Sequence, residues 1–148
     1  MSSFDRHFQQ EFVGSLEQLA PIRDFVLNSA AQCGCGEEDA FALELACDEA
    51  SANVFRHTFE GKPGRLAMEI WRADAQPQVF VRMTYGGRSF DPSRVPEPDL
   101  NLPMEQRPTG GLGLYFMRRV MAEVKFEFDD RRGNVLTMRR PLSNHLSA

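Results

Sequence analysis

The chain predicts an α+β fold, a two-layer α/β sandwich whose mixed, mostly antiparallel sheet carries its helices on one face. Three observations lead there. Apolar residues recur at helical spacing through residues 16–30, they alternate at every second position through residues 79–85, and the segments follow one another as β, α, α, β, β, long loop, α, β, β. The 148 residues suffice for one compact domain with a real core and are too few for two ordinary ones, so 1–148 is expected to be a single domain.

Each element has its own signal. Residues 8–13 carry Phe8, Phe12 and Val13 and fit an edge strand. Ser15 can cap a helix in which Leu19, Ile22, Phe25, Val26 and Ala30 share a face, with Pro21 near the start, where a missing N–H costs least. Gly34 and Gly36 end it. A second helix is expected from Glu37-Glu38-Asp39, acids that suit the positive end of a helix dipole, to about Phe59. Gly61-Lys62-Pro63-Gly64 is a turn, and residues 66–71 and 79–85 are strands joined by residues 73–77. In the second strand Val79, Val81, Met83 and Tyr85 share one face, with Phe80, Arg82 and Thr84 on the other. Residues 86–111 hold five of the nine prolines (Pro92, Pro96, Pro98, Pro103 and Pro108), which excludes regular structure and is long for a passive connection; a lid is expected there, with an unstructured insertion as the alternative. Residues 112–120 fit a helix, and 124–128 with 135–138 a hairpin around Asp129-Asp130-Arg131-Arg132-Gly133-Asn134.

Composition narrows the function classes. With 42% hydrophobic and 26% charged residues the chain is that of an ordinary globular protein. No apolar run approaches the roughly 20 residues needed to cross a bilayer. The start, Met1-Ser2-Ser3-Phe4-Asp5-Arg6-His7, lacks the apolar core of a secretory signal, so a cytoplasmic protein without membrane contact is expected. A formal charge of −4 argues against nucleic acid as the main ligand and leaves a basic protein partner open. Cys33, Cys35 and Cys47 match neither a disulfide framework nor a zinc site and are read as reduced thiols.

The chemistry concentrates in two places. Glu49 and Asn53 lie four residues apart on the second helix and point the same way, so the carboxylate could orient a water or hydroxyl while the amide offers an oxygen to Mg²⁺. About sixty residues on, Gly110-Gly111-Leu112-Gly113-Leu114 runs from a glycine-rich loop into a helix, a place where backbone N–H groups cradle phosphate. Each alone has a bland reading, since Glu and Asn at this spacing occur on many solvated helix faces.

Taken together, Glu49-Ala50-Ser51-Ala52-Asn53 with His57 one turn on, Phe90-Asp91-Pro92, Gly111-Leu112-Gly113-Leu114 and Gly133-Asn134-Val135-Leu136-Thr137 resemble the GHKL (Bergerat) ATPase fold of histidine kinases, gyrase and the heat-shock chaperone. Nearly the whole chain is covered. The small size and the Glu-x-x-x-Asn-x-x-x-His pattern look like the bacterial anti-sigma factor serine/threonine kinases. The resemblance implies ATP and Mg²⁺ as cofactors, with a sigma factor and a STAS-domain anti-anti-sigma factor as partners. It also implies a homodimer, and no direct binding of nucleic acid. Position by position it makes Glu49 the general base and Asn53 the Mg²⁺ ligand. Gly110, Gly111, Leu112 and Gly113 would surround the phosphates, and His57, Tyr85, Gly87 and Asn134 would complete the nucleotide site, with Asn134 near the adenine.

One position departs from the family's pattern. The first glycine box of such proteins reads Asp-x-Gly-x-Gly, its aspartate accepting a hydrogen bond from the adenine amino group, whereas this chain has Tyr85-Gly86-Gly87-Arg88-Ser89. A phenol is larger and uncharged at neutral pH, and a buried adenine deprived of its acceptor loses on the order of 1–3 kcal/mol. The alternative is therefore a degenerate GHKL-fold protein that switches partners with weak or no ATP binding and kinase activity.

Overall fold

The computed structural model describes residues 6–89 and 111–143, with the backbone alone at 111 and 112. Most of the expected lid, including Phe90, Asp91, Pro92 and Gly110, lies outside the described residues, as does the Leu112 side chain. The described elements are β1 (His7–Gly14), α1 (Leu19–Gln32), α2 (Glu37–Asn53), β2 (Gly64–Ala73), β3 (Gln78–Tyr85), α3 (Gly111–Val120), β4 (Glu123–Asp129) and β5 (Gly133–Pro141). This is the order expected from the sequence. The five strands form one sheet in the order β1-β2-β3-β5-β4, and each pairing is antiparallel.

Alternation decides which face meets the helices. Leu66, Met68 and Ile70 of β2, Val79, Val81 and Met83 of β3, and Leu136 and Met138 of β5 are buried, and the register aligns them in rows: Met68 with Met83 and Leu136, Ile70 with Val81 and Met138. Against these rows pack Ile22, Val26 and Ala30 of α1, Leu43, Ala46, Cys47 and Ala50 of α2, and Met117 of α3. Burying each aliphatic side chain of this kind stabilises by about 1.5–3 kcal/mol. On the other sheet face Trp71 stacks on Phe80 at 5.2 Å, with the Arg82 guanidinium 4.8 Å from the Trp71 ring.

Local chemistry sets the ends. Ser15 does not cap a helix through its side chain: its N–H and hydroxyl both donate to the Glu17 carboxylate, and a 3₁₀ turn, Leu16–Gln18, precedes α1. The helix stops in a Schellman arrangement, with the Cys35 N–H on the Ala30 carbonyl and the Gly34 N–H on that of Ala31. Beyond Asn53 the second helix continues as a π segment, Val54–Thr58, closed by the Phe59 N–H on the Val54 carbonyl. That slip in bonding takes His57 out of the strict four-residue stripe and leaves it exposed. The hairpin between β4 and β5 is held by the Asp129 carboxylate, which accepts from the N–H groups of Arg131 and Arg132. Cys33, Cys35 and Cys47 are free, and burial pushes their thiols up to about 11, about 12 and about 12, which suits inert reduced groups.

Candidate functional site

Glu49 and Asn53 occupy the last two turns of α2, both half-buried. The start of α3 lies directly across from them. A Cβ placed on Gly113 would come within 2.7 Å of Glu49 Oε2 and 3.7 Å of Asn53 Nδ2. A side chain at 113 would have to displace the Glu49 carboxylate, so the glycine eases the approach of two segments about sixty residues apart in sequence. The N–H groups that begin a helix have no partner within it and favour an anion, so a carboxylate, an amide and a helix N-terminus meet at one point.

The far wall begins at the end of β3. The row Leu66–Tyr85–Asn134 crosses β2, β3 and β5 just before the Gly86–Gly87 turn. Tyr85 is 5% exposed, and its ring meets Phe59 edge-on at 6.5 Å. Burial pushes its phenol up to about 12, so it is neutral at physiological pH. Asn134 is buried, and its Nδ2 donates to the carbonyls of Gly86 at 3.2 Å and Arg88 at 3.1 Å. This amide nitrogen holds the turn in place. Gly87 takes φ +91°, and a Cβ there would meet Thr58 Cγ2 at 2.8 Å, so the turn nests against the π segment. Gly133 closes the other side, where a Cβ would lie 2.8 Å from the Tyr85 carbonyl oxygen.

The sequence-derived residues thus fall into two groups. Glu49, Asn53 and Gly113 converge at one end, with Gly111 in the same turn of α3. Tyr85, Gly87 and Asn134 converge at the other. His57 stands exposed on the π segment that passes between α2 and the turn. Thr58 and Phe59, which pack on Gly87 and Tyr85, were not singled out from the sequence; no motif marks them, and only the nesting of the π segment reveals their part.

Glu49, Asn53 and Gly113 suit a magnesium nucleotide by their chemistry: Asn53 carries a hard amide oxygen, and Gly113 puts no side chain in front of the Glu49 carboxylate. Among the described residues no group of three or more His, Cys, Asp or Glu could hold a metal ion, so Mg²⁺ would share its shell with phosphate oxygens and water. At the other end Tyr85 puts a buried phenol where the family's pattern has an aspartate.

The chain is also similar to known proteins. Residues 12–140 match the family described as histidine kinase-like ATPase domain. Proteins named serine-protein kinase RsbW from Bacillus cereus (strain AH187) and Bacillus mycoides (strain KBAB4) are each 25% identical over 134 residues, covering 88% of this chain and 82% of theirs. The relative of the same name from Bacillus anthracis shows the same identity and coverage. Among solved structures, the histidine kinase domain of the Erythrobacter litoralis EL346 blue-light activated histidine kinase aligns at 15% identity and a TM-score of 0.49, covering 88% of this chain and 62% of that one.

Proposed function

The chain belongs to the histidine kinase-like ATPase domain family, and we propose that it is an anti-sigma factor with Mg-ATP-dependent serine/threonine kinase activity, acting on a STAS-domain anti-anti-sigma partner while sequestering a sigma factor. The observation that carries this reading is the approach of Gly113 to Glu49 and Asn53, which supports taking Glu49 as the base and Asn53 as the metal ligand beside a helix start. The name serine-protein kinase borne by its relatives supports it. In this reading the protein is one domain, the segment 86–111 is its lid, and it acts in the cytoplasm as a homodimer. No helix among the described residues is long and apolar enough to cross a membrane.

The chemistry follows from the positions. Mg-ATP, when bound, supplies the phosphoryl group and neutralises its charge. Glu49 accepts the proton of the partner's hydroxyl as that oxygen bonds to the γ-phosphorus and the bond to the β-phosphate oxygen breaks, its electron pair leaving with ADP. Asn53 would hold the cation, and the α3 N–H groups would offset the phosphate charge. Incubation with Mg-ATP and a STAS partner is expected to yield phosphoserine or phosphothreonine by mass spectrometry, and Glu49→Ala to lower the rate by about 10²–10⁴-fold. Phosphate that stays wholly on nucleotide would contradict the kinase reading.

A second reading rests on Tyr85. Its ring joins the buried core at the base end, which favours a partner-switching protein with little nucleotide binding or kinase activity. Micromolar Mg-ATP affinity in calorimetry would remove that basis.

A further inference from the structure

The far ends of α2 and α3 are joined by a buried ion pair that the site itself does not use. Asp39, in the first turn of α2, is 1% exposed. Its Oδ1 accepts from Arg140 Nε at 2.9 Å and from the Ser143 hydroxyl at 2.8 Å, and its Oδ2 accepts from the Ser143 N–H at 2.9 Å. Arg140 belongs to β5, and its Nη1 donates to the carbonyl of Val120, the last residue of α3, at 2.6 Å. The chain after α3 is also stitched to β5, through the Ala122 N–H on the Arg139 carbonyl at 2.8 Å. One guanidinium therefore bridges the start of α2 and the end of α3.

The two helices run antiparallel. Gly113, near the start of α3, faces Glu49 and Asn53 near the end of α2, while Val120 lies across from Asp39 through Arg140. From Val120 back to Gly113 is about two helical turns, roughly 10 Å of stiff rod. A shift at the Val120 end is carried along this rod to the glycine turn, where Gly113 lies close against the Glu49 carboxylate. We infer that Arg140, held by Asp39, is a positioning residue: it fixes the pivot of α3 and so sets the distance between the phosphate-binding turn and Glu49. This rests on the kinase reading for its catalytic consequence and on the geometry alone for its structural one.

The geometry selects the variants. Arg140→Lys keeps the positive charge beside Asp39 but has a single nitrogen, which cannot serve the carboxylate and the Val120 carbonyl in the forked manner of a guanidinium. Ser143→Ala removes the one hydroxyl hydrogen bond to Asp39, keeps that of the backbone N–H and leaves the α3 tie intact. Phosphotransfer is measured below both melting temperatures, together with backbone hydrogen exchange. Arg140→Lys is expected to lower kcat about tenfold, as misplacement of reacting groups by a fraction of an ångström does, with nucleotide KM changed less than about threefold and amide exchange faster at residues 111–114. Ser143→Ala is expected to lower the melting temperature and leave kcat within about twofold. An unchanged kcat and unchanged exchange in Arg140→Lys would overturn the inference, and so would equal loss in both variants. Should the wild type transfer no phosphate, the kinase reading fails and the exchange at 111–114 still decides whether Arg140 pins α3.

Discussion

Gly113 and Tyr85 mark the two ends of the site, and each makes a prediction at the scale of one side chain. An alanine at 113 would improve helix propensity by up to about 1 kcal/mol but place its methyl against the far end of the Glu49 side chain, which must swing aside. Stability should therefore change by less than about 1 kcal/mol in urea unfolding, while phosphotransfer falls about ten- to hundredfold. A kinase rate equal to wild type in Gly113→Ala would show that Glu49 does not need its place there. Tyr85 was legible in the sequence as a core-facing strand residue, because alternation with Val79, Val81 and Met83 dictates its side. Its contact with Phe59 was not, since the π segment that delivers that ring leaves no periodic trace. Asn134, expected near the adenine, lies opposite Tyr85 in the sheet. That its amide nitrogen holds the Gly86–Arg88 turn depends on a register across β3 and β5 that no local pattern encodes.

The elements were largely readable because each strand and helix obeys its own period: β3 alternates without a break, and α1 keeps its apolar stripe to Ala30. What sequence could not supply is how elements meet at their ends. The Asp39–Arg140–Ser143 cluster joins residues 101 and 104 positions apart and appears in no motif. It also predicts a pH response. Burial pushes the Asp39 carboxyl up, but hydrogen bonds from the Ser143 N–H and hydroxyl and from Arg140, with the charge of Arg140, outweigh it and leave the carboxyl below its ordinary value. A depressed carboxylate contributes stability that is fully present above its unfolded value of about 3.9 and is lost as pH falls through the folded one. Asp39→Ala leaves the largely buried Arg140 with only the exposed Glu38 carboxylate, at 3.7 Å, as an ion-pair partner and should cost about 3–5 kcal/mol at pH 7. Urea titrations should show that gap narrowing below about pH 4; a gap independent of pH would mean that the carboxylate charge contributes nothing.

At the scale of the molecule, the antiparallel sheet and the three α-helices among the described residues assemble the candidate site from four separate stretches of chain: the end of α2, the turn after β3, the start of α3 and the start of β5. One end carries the Glu49 carboxylate, the Asn53 amide and a helix N-terminus, which in the proposed reading meet the phosphates, and the other carries the buried neutral phenol of Tyr85, which in that reading faces the purine. Such a site should hold Mg-ATP chiefly by its phosphates and only weakly by its purine. Calorimetric titration of Mg-ATP into the wild type beside Tyr85→Asp, both verified as folded by circular dichroism, tests this most directly. The account predicts magnesium-dependent binding in the wild type and binding about ten- to a hundredfold tighter in Tyr85→Asp, the range that one restored buried acceptor commands. Absence of binding in both proteins would contradict it, because the arrangement of Glu49, Asn53 and Gly113 would then hold no nucleotide at all.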